Sequence, residues 1–161
     1  ILLDNGYSVT LRTHPETVKR SKETLKIINL KFQNNQNFQL NTNLKDTSHF
    51  EKSKLLITDD GGVGMEYPYI YRKPVIYINY VKKINNKFYQ DLNIEPIEDK
   101  FKRKCAYEID AINIKFLKKK ISEANKTFND KIQNVDKFYE KYGLNHLEGS
   151  KKAFQIIDEI L

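Results

Sequence analysis

The chain has 161 residues, one domain's length, enough to bury roughly two-thirds of its unfolded surface. With 39% hydrophobic and 30% charged residues it reads as a soluble globular chain, and no apolar run approaches the ~20 residues that span a bilayer. A formal net charge of +7 comes from lysines spread along the chain. Without a dense basic stripe or a nucleic-acid motif, it argues against a nucleic-acid partner. Biased composition, anionic small ligands and contact with an anionic membrane surface remain as explanations. The single cysteine, Cys105, cannot form an internal disulfide, so a reducing, cytoplasmic setting is expected, and the positive charge leaves peripheral contact with the inner face of the membrane open.

In chain order, residues 1–6 read as a helix end stopped by Gly6. Residues 7–12 alternate and are rich in β-formers, so they predict a strand. Pro15 suits a first helical turn, and residues 16–32 predict one helix with Val18, Leu25, Ile28 and Phe32 near one face. A polar loop at 34–37 leads to a short strand at 38–41. A short helix capped by Asp46, Thr47 or Ser48 runs through Lys52.

The apolar stretch 55–58 predicts a strand buried on both faces. It ends in Asp59-Asp60-Gly61-Gly62, followed by a helix over 63–71 and a strand over 75–78 opened by Pro74. Strand, glycine turn, helix and strand make a βαβ unit and predict a parallel sheet. Residues 80–104 predict surface loop with one short element. From Glu108 to Tyr142 apolar residues recur every three or four positions, predicting one long helix ended by Gly143. A last helix from Ser150 carries Ala153, Phe154, Ile157 and Ile160 on one side.

Three clusters carry candidate chemistry. The glycine turn places backbone N–H groups and a helix N-terminus at the carboxyl edge of the sheet, which favours phosphate; glycines at 61, 62 and 64 allow close approach. A tight structural turn explains the same residues equally well. Glu66, one turn into the helix, can accept hydrogen bonds from a ribose diol or simply complement the helix dipole. Arg12-Thr13-His14-Pro15 follows a strand whose carboxyl end reaches the same edge if the strands are parallel. His14 can serve as acid, base or phosphoryl donor, and Arg12 can grip phosphate, with alternation putting both on one face; a capping role for His14 is the competing reading. His49 and His146 lack metal-ligand spacing and read as structural, Asp59-Asp60 is a poor cation site, and no metal or cofactor is expected. Tyr67, Tyr69 and Tyr71 read as packing and surface residues.

Arg12-Thr13-His14-Pro15, then Thr58-Asp59-Asp60-Gly61-Gly62 and Glu66, then Lys73-Pro74-Val75, resemble the CDP-glycerol glycerophosphotransferases that build teichoic-acid-like polymers. The resemblance covers residues 1–80. It implies an α/β fold, a Rossmann-like parallel sheet flanked by helices, as the C-terminal half of a GT-B fold that ends in C-terminal helices. It implies a single nucleotide-diphosphate-binding domain over 1–161, with an N-terminal acceptor domain and first strand lying outside this sequence. It also implies that Arg12 and His14 lie at the reaction centre, that Thr58, Asp59, Gly61 and Gly62 form the diphosphate loop, and that Glu66 holds the ribose. A CDP- or UDP-linked donor and a surface-polymer or lipid-linked acceptor are the implied partners, in cell-wall or capsule biogenesis. Asp60-Gly61-Gly62 stands where that family usually has Tyr-Ser-Ser, leaving backbone N–H groups to bind phosphate. The same turn before a Lys-Pro strand also resembles the UDP-N-acetylglucosamine 2-epimerases. A non-catalytic basic domain that docks on membrane is the third reading.

Overall fold

The computed structural model describes residues 1–43, 45–81, 88–143 and 148–160. They form an α/β structure of parallel strands in small sheets flanked by helices. Contacts group the chain into two compact units, Ile1–Ser53 and Lys54–Leu161. The strands accordingly form two small sheets, where the sequence predicts one.

In the first unit, a 3-10 turn at Leu3–Asn5 ends on Gly6, whose φ of 76° is a left-handed conformation that glycine adopts without strain. Strand β1 (Val9–Arg12) pairs in parallel with β2 (Phe38–Asn41), Val9 opposite Phe38 and Arg12 opposite Asn41. The predicted single helix is two, α1 (Pro15–Arg20) and α2 (Lys22–Phe32). They part at Ser21, whose φ of −126° and ψ of 41° are not helical. Leu25 is buried, with Ile28 and Phe32 half-buried on its side, as the apolar spacing predicts. Helix α3 (Ser48–Lys52) buries Phe50, and Asp46 Oδ1 accepts from the Ser48 N–H at 3.0 Å.

In the second unit, β3 (Leu56–Thr58), α4 (Val63–Tyr71) and β4 (Val75–Asn79) make the predicted βαβ unit, with Leu56 opposite Val75 in parallel. Strand β3 is half-buried, not buried on both faces, because β4 takes the central place. Val75, Ile76 and Tyr77 of β4 are fully buried between β3 and β5 (Tyr107–Asp110). The long helix therefore starts later than predicted. Residues 107–110 are a parallel strand with Tyr107 and Ile109 inward, residues 111–116 form a 3-10 turn, and α6 runs Leu117–Tyr142. Ile109, Ile112 and Phe116 fit helical spacing, but Ile112 and Phe116 are exposed and contribute no core.

Helix α6 buries Leu117, Ile121, Ala124, Phe128, Val135 and Phe138, packing on β4, β5, α4 and α5 (Ile97–Cys105). Phe101 of α5 meets Phe138 edge-on at 5.0 Å, and Arg72 grips Asp136 with two hydrogen bonds of 2.5 and 2.8 Å. Helix α5 falls where one short strand or helix is expected within 80–104, its charged residues masking Phe101 and Cys105 in the pattern; residues 82–87 of that stretch lie outside the described residues. Helix α7 (Gly149–Ile160) forms where predicted, but its apolar side is exposed, including Phe154, Ile157 and Ile160.

Helix α4 and strand β4 fit closely at Gly64. A Cβ on Gly64 would sit 2.3 Å from the Tyr77 hydroxyl oxygen and 2.5 Å from the ring carbon that bears it. Tyr77 is 1% exposed, so its ring has nowhere to go. Gly64→Ala should therefore destabilise the chain by about 1–3 kcal/mol, the usual cost of over-packing, read as a lower urea midpoint. A midpoint equal to that of the parent chain would show that the ring yields.

Candidate functional site

The residues predicted to act together fall in both units: Arg12 and His14 in the first, Thr58, Asp59, Gly61, Gly62 and Glu66 in the second.

In the second unit, β3 ends at Thr58, and Asp59-Asp60-Gly61 leads directly into α4 with Gly62 at its N-cap. Gly62 has φ −56° and ψ −30°, and an added Cβ there would meet nothing within 4 Å. At Gly61 a Cβ would meet Asp59 Oδ1 at 3.5 Å and Thr58 Oγ1 at 3.8 Å, which is ordinary contact. Neither glycine is required by a left-handed backbone or by internal packing. Gly64 is different: its missing side chain makes room for Tyr77, a protein contact rather than ligand approach. The N–H groups of Gly64 and Met65 donate to the carbonyls of Gly61 and Gly62 at 3.1 and 2.9 Å. Those of Gly62 and Val63 have no acceptor among the described residues. Two adjacent N–H groups at a helix start, beside residues without side chains, form a surface suited to an anion. Glu66 is exposed in the first turn of α4, close enough to Tyr139 to help raise that phenol's pKa to about 12, though burial is the larger cause.

Asp60 is not available as a free carboxylate. It forms an ion pair with Lys102 of α5, whose side chain is 8% exposed against 64% for Asp60. Lys102 Nζ also sits 4.9 Å from the centre of the Tyr77 ring. Lys102 is the buried side chain with a formal charge among the described residues. Sequence reasoning missed it because Lys102 stands in the run Lys100-Phe101-Lys102-Arg103-Lys104, where nothing distinguishes the buried lysine from the exposed Arg103 and Lys104. An open cleft of about 650 Å³ adjoins it, and its charged lining is mostly acidic: Asp60, Glu95, Glu98, Asp99 and Glu108 beside Lys102 and Arg103. It lies at the carboxyl ends of β3 and β4, the edge where open α/β sheets bind ligands. Asn79 Nδ2 donates to Glu108 Oε2 at 3.1 Å, and Arg103 pairs with Glu95.

In the first unit, Arg12 and His14 do not act as a pair. The strand ends at Arg12, and the two side chains engage different partners. Arg12 Nη1 donates to the Asp46 carbonyl and lies 3.3 Å from His49 Nε2, with its guanidinium 5.1 Å from the centre of the Phe50 ring. His14 is exposed and caps α1, its Nδ1 accepting from the Glu16 N–H at 3.2 Å, so the capping reading holds in this structure. Thr13, between them, is buried, and its hydroxyl oxygen has no hydrogen-bond partner among the described residues.

His49 is structural in its surroundings. Asn41 Nδ2, which donates to Asp46 Oδ2 at 3.0 Å, faces His49 Nδ1 at 3.2 Å, while Arg12 faces Nε2. Both ring nitrogens thus face donors, an arrangement hostile to an imidazolium, which would donate from both. His146 lies outside the described residues. Cys105 is buried, and burial lifts its thiol to about 11, too high for a nucleophile at neutral pH. Tyr67 is buried, and Tyr69 stacks on Tyr139 at 4.0 Å, so these tyrosines pack rather than present a stacking platform. Among the described residues no group of three His, Cys, Asp or Glu side chains is placed to hold a metal ion, and no helix is long and apolar enough to cross a membrane.

No family model, curated protein or solved structure matches this chain.

Burial first, then the Arg12 charge, holds the His49 pKa below its ordinary 6.5, with Asp46 opposing. The unfolded chain takes up this proton near pH 6.5 and the folded chain resists it, so the stability owed to neutral His49 is full above about 6.5. It is lost as the pH falls from there toward the lower folded value. Ring-proton NMR should place His49 below 6.5, and His49→Gln should flatten the fall in stability below that pH. A folded pKa at or above 6.5 would contradict this arrangement.

Proposed function

We propose that this chain is the nucleotide-diphosphate-binding domain of a transferase, the C-terminal half of a GT-B enzyme. In this reading it holds a CDP-glycerol or nucleotide-sugar donor for cell-surface polymer synthesis. The observation that carries the reading is the pair Gly61-Gly62 at the carboxyl end of β3. Glycine there has no internal steric cause, and the N–H groups of Gly62 and Val63 lack acceptors among the described residues. A ligand that comes close to the backbone accounts for both facts. The resemblance of residues 11–15 and 56–66 to the glycerophosphotransferases supplies the reaction class.

In this reading the diphosphate rests on the turn's amides and Glu66 accepts from the ribose diol. As the donor bond breaks, charge grows on the departing phosphate, and fixed N–H dipoles stabilise it without reorganising. The acceptor, a surface polymer or lipid-linked chain, belongs to a further domain.

Calorimetry of the full chain with CDP and UDP tests the reading. Glu66→Ala should weaken binding roughly tenfold or more, the worth of hydrogen bonds to a charged group. Gly62→Ala should weaken binding while changing stability by no more than about 1 kcal/mol, since its Cβ would face open space. Absence of binding by either nucleotide sinks the reading.

Peripheral membrane contact is a second reading, favoured by one observation: α7 exposes Phe154, Ile156, Ile157 and Ile160 on a helix that also carries Lys151 and Lys152. Its apolar side suits a bilayer interface, and because Asp158 and Glu159 offset the two lysines, attraction to an anionic surface falls to the chain's net charge of +7. Co-sedimentation with phosphatidylglycerol vesicles should fall with added salt and with Phe154→Ser. Binding equal to that on neutral vesicles would reject it.

A further inference from the structure

The buried cation beside the glycine turn is so far unexplained. Lys102 is costly to bury, and its ion-pair partner, Asp60, is mostly in water. An exposed carboxylate loses most of its attraction to solvent screening, so Asp60 is a weak counter-ion for a charge held inside the protein. Tyr77 contributes its ring face but no full charge, and of the five carboxylates that line the cleft, Asp60 is the one that pairs with Lys102. Asp60 is also the residue next to Gly61, on the strand end that forms the cleft.

We propose that Lys102 is the phosphate-binding cation of this site and that Asp60 is its stand-in, an internal carboxylate that an incoming diphosphate displaces. The proposal rests on the reading of the glycine turn as a diphosphate site. It adds the residue that neutralises the ligand's charge and the step that admits it. Exchange is straightforward in this geometry. The Asp60 side chain is 64% exposed and can turn into solvent, while Lys102 stays fixed by α5 and by the Tyr77 ring. A phosphate oxygen on the Gly62 and Val63 amides would then take the place of the carboxylate at Lys102. Asp60 thereby sets a threshold: a ligand must bring more negative charge than one carboxylate to win the lysine. This favours diphosphates over singly charged anions.

Asp60→Asn separates this exchange from a merely structural ion pair. It removes the competing charge and keeps the shape. The substitution should lower the melting temperature of the ligand-free chain, because a buried ammonium loses its counter-ion. It should also tighten binding of inorganic pyrophosphate and of CDP roughly three- to tenfold, the scale of one exposed competing charge. Pyrophosphate at constant ionic strength should then raise the melting temperature of the variant more than that of the parent chain. Lys102→Met should weaken both ligands, with circular dichroism confirming that the variant folds. If the parent chain binds CDP and Asp60→Asn binds it no more tightly, the exchange is wrong and the diphosphate reading stands. If the parent chain binds neither CDP, UDP nor pyrophosphate, both fall together.

Discussion

The second unit is organised by the position of one ring. Tyr77, on the central strand β4, lies against α4 at the point where Gly64 has no side chain, and Lys102 of α5 covers its face. Burial drives its phenol pKa well above the ordinary value, so the ring is neutral at any physiological pH and behaves as packing. Sheet, first turn of α4 and α5 all meet on this residue. The consequence for the glycine turn is direct. The start of α4 is held in place from below by the fit of Tyr77 against Gly64, so the Gly62 and Val63 amides are presented on a rigid base. Rigidity of that kind is what an anion site needs, since amides that are already oriented pay no ordering cost when the ligand arrives.

The glycines of one turn therefore divide into two physical classes. Gly64 is explained entirely by the protein's interior. Gly61 and Gly62 are not, since any L-residue fits their backbone and a Cβ finds space. The sequence shows three glycines near one helix start and treats them alike. Only side-chain geometry separates the packing glycine from the two that internal packing does not require. That separation is the strongest reason to place a ligand at this turn, and it is independent of any resemblance.

How much of this was legible in the sequence differs by element, for physical reasons. The βαβ unit from Leu56 to Asn79 was readable nearly to the residue, because apolar runs, glycines and Pro74 punctuate it sharply. The short strand at Tyr107–Asp110 was not. Its inward residues, Tyr107 and Ile109, run into Ile112 and Phe116 at a spacing that also suits a helix, and periodicity alone cannot separate the two. Ser21 breaks the predicted first helix with a backbone torsion, where a sequence pattern searched for proline and glycine gives no warning. In the site, Arg12 and His14 were found as residues but not in their engagements. Arg12's partners, Asp46 and His49, and Asn41, which bridges those two, come from β2, α3 and the loop between them, so only the folded first unit reveals the cluster.

Lys102 shows the limit most clearly, and it also bears on what the net charge means. A surplus of +7 spread over a chain suggests a surface effect, and most of its lysines are indeed solvated. Yet the lysine that bears on the candidate site contributes little to any surface field, because it is inside and already paired. Long-range attraction of an anionic donor would come from the exposed lysines, which raise encounter rates and are screened by salt. Discrimination among anions would come from the buried one, which the medium screens far less. A high-salt titration would therefore weaken encounter before it weakens choice. If Lys102 is the cation that meets the ligand, the charge read from composition and the charge that selects belong to different residues.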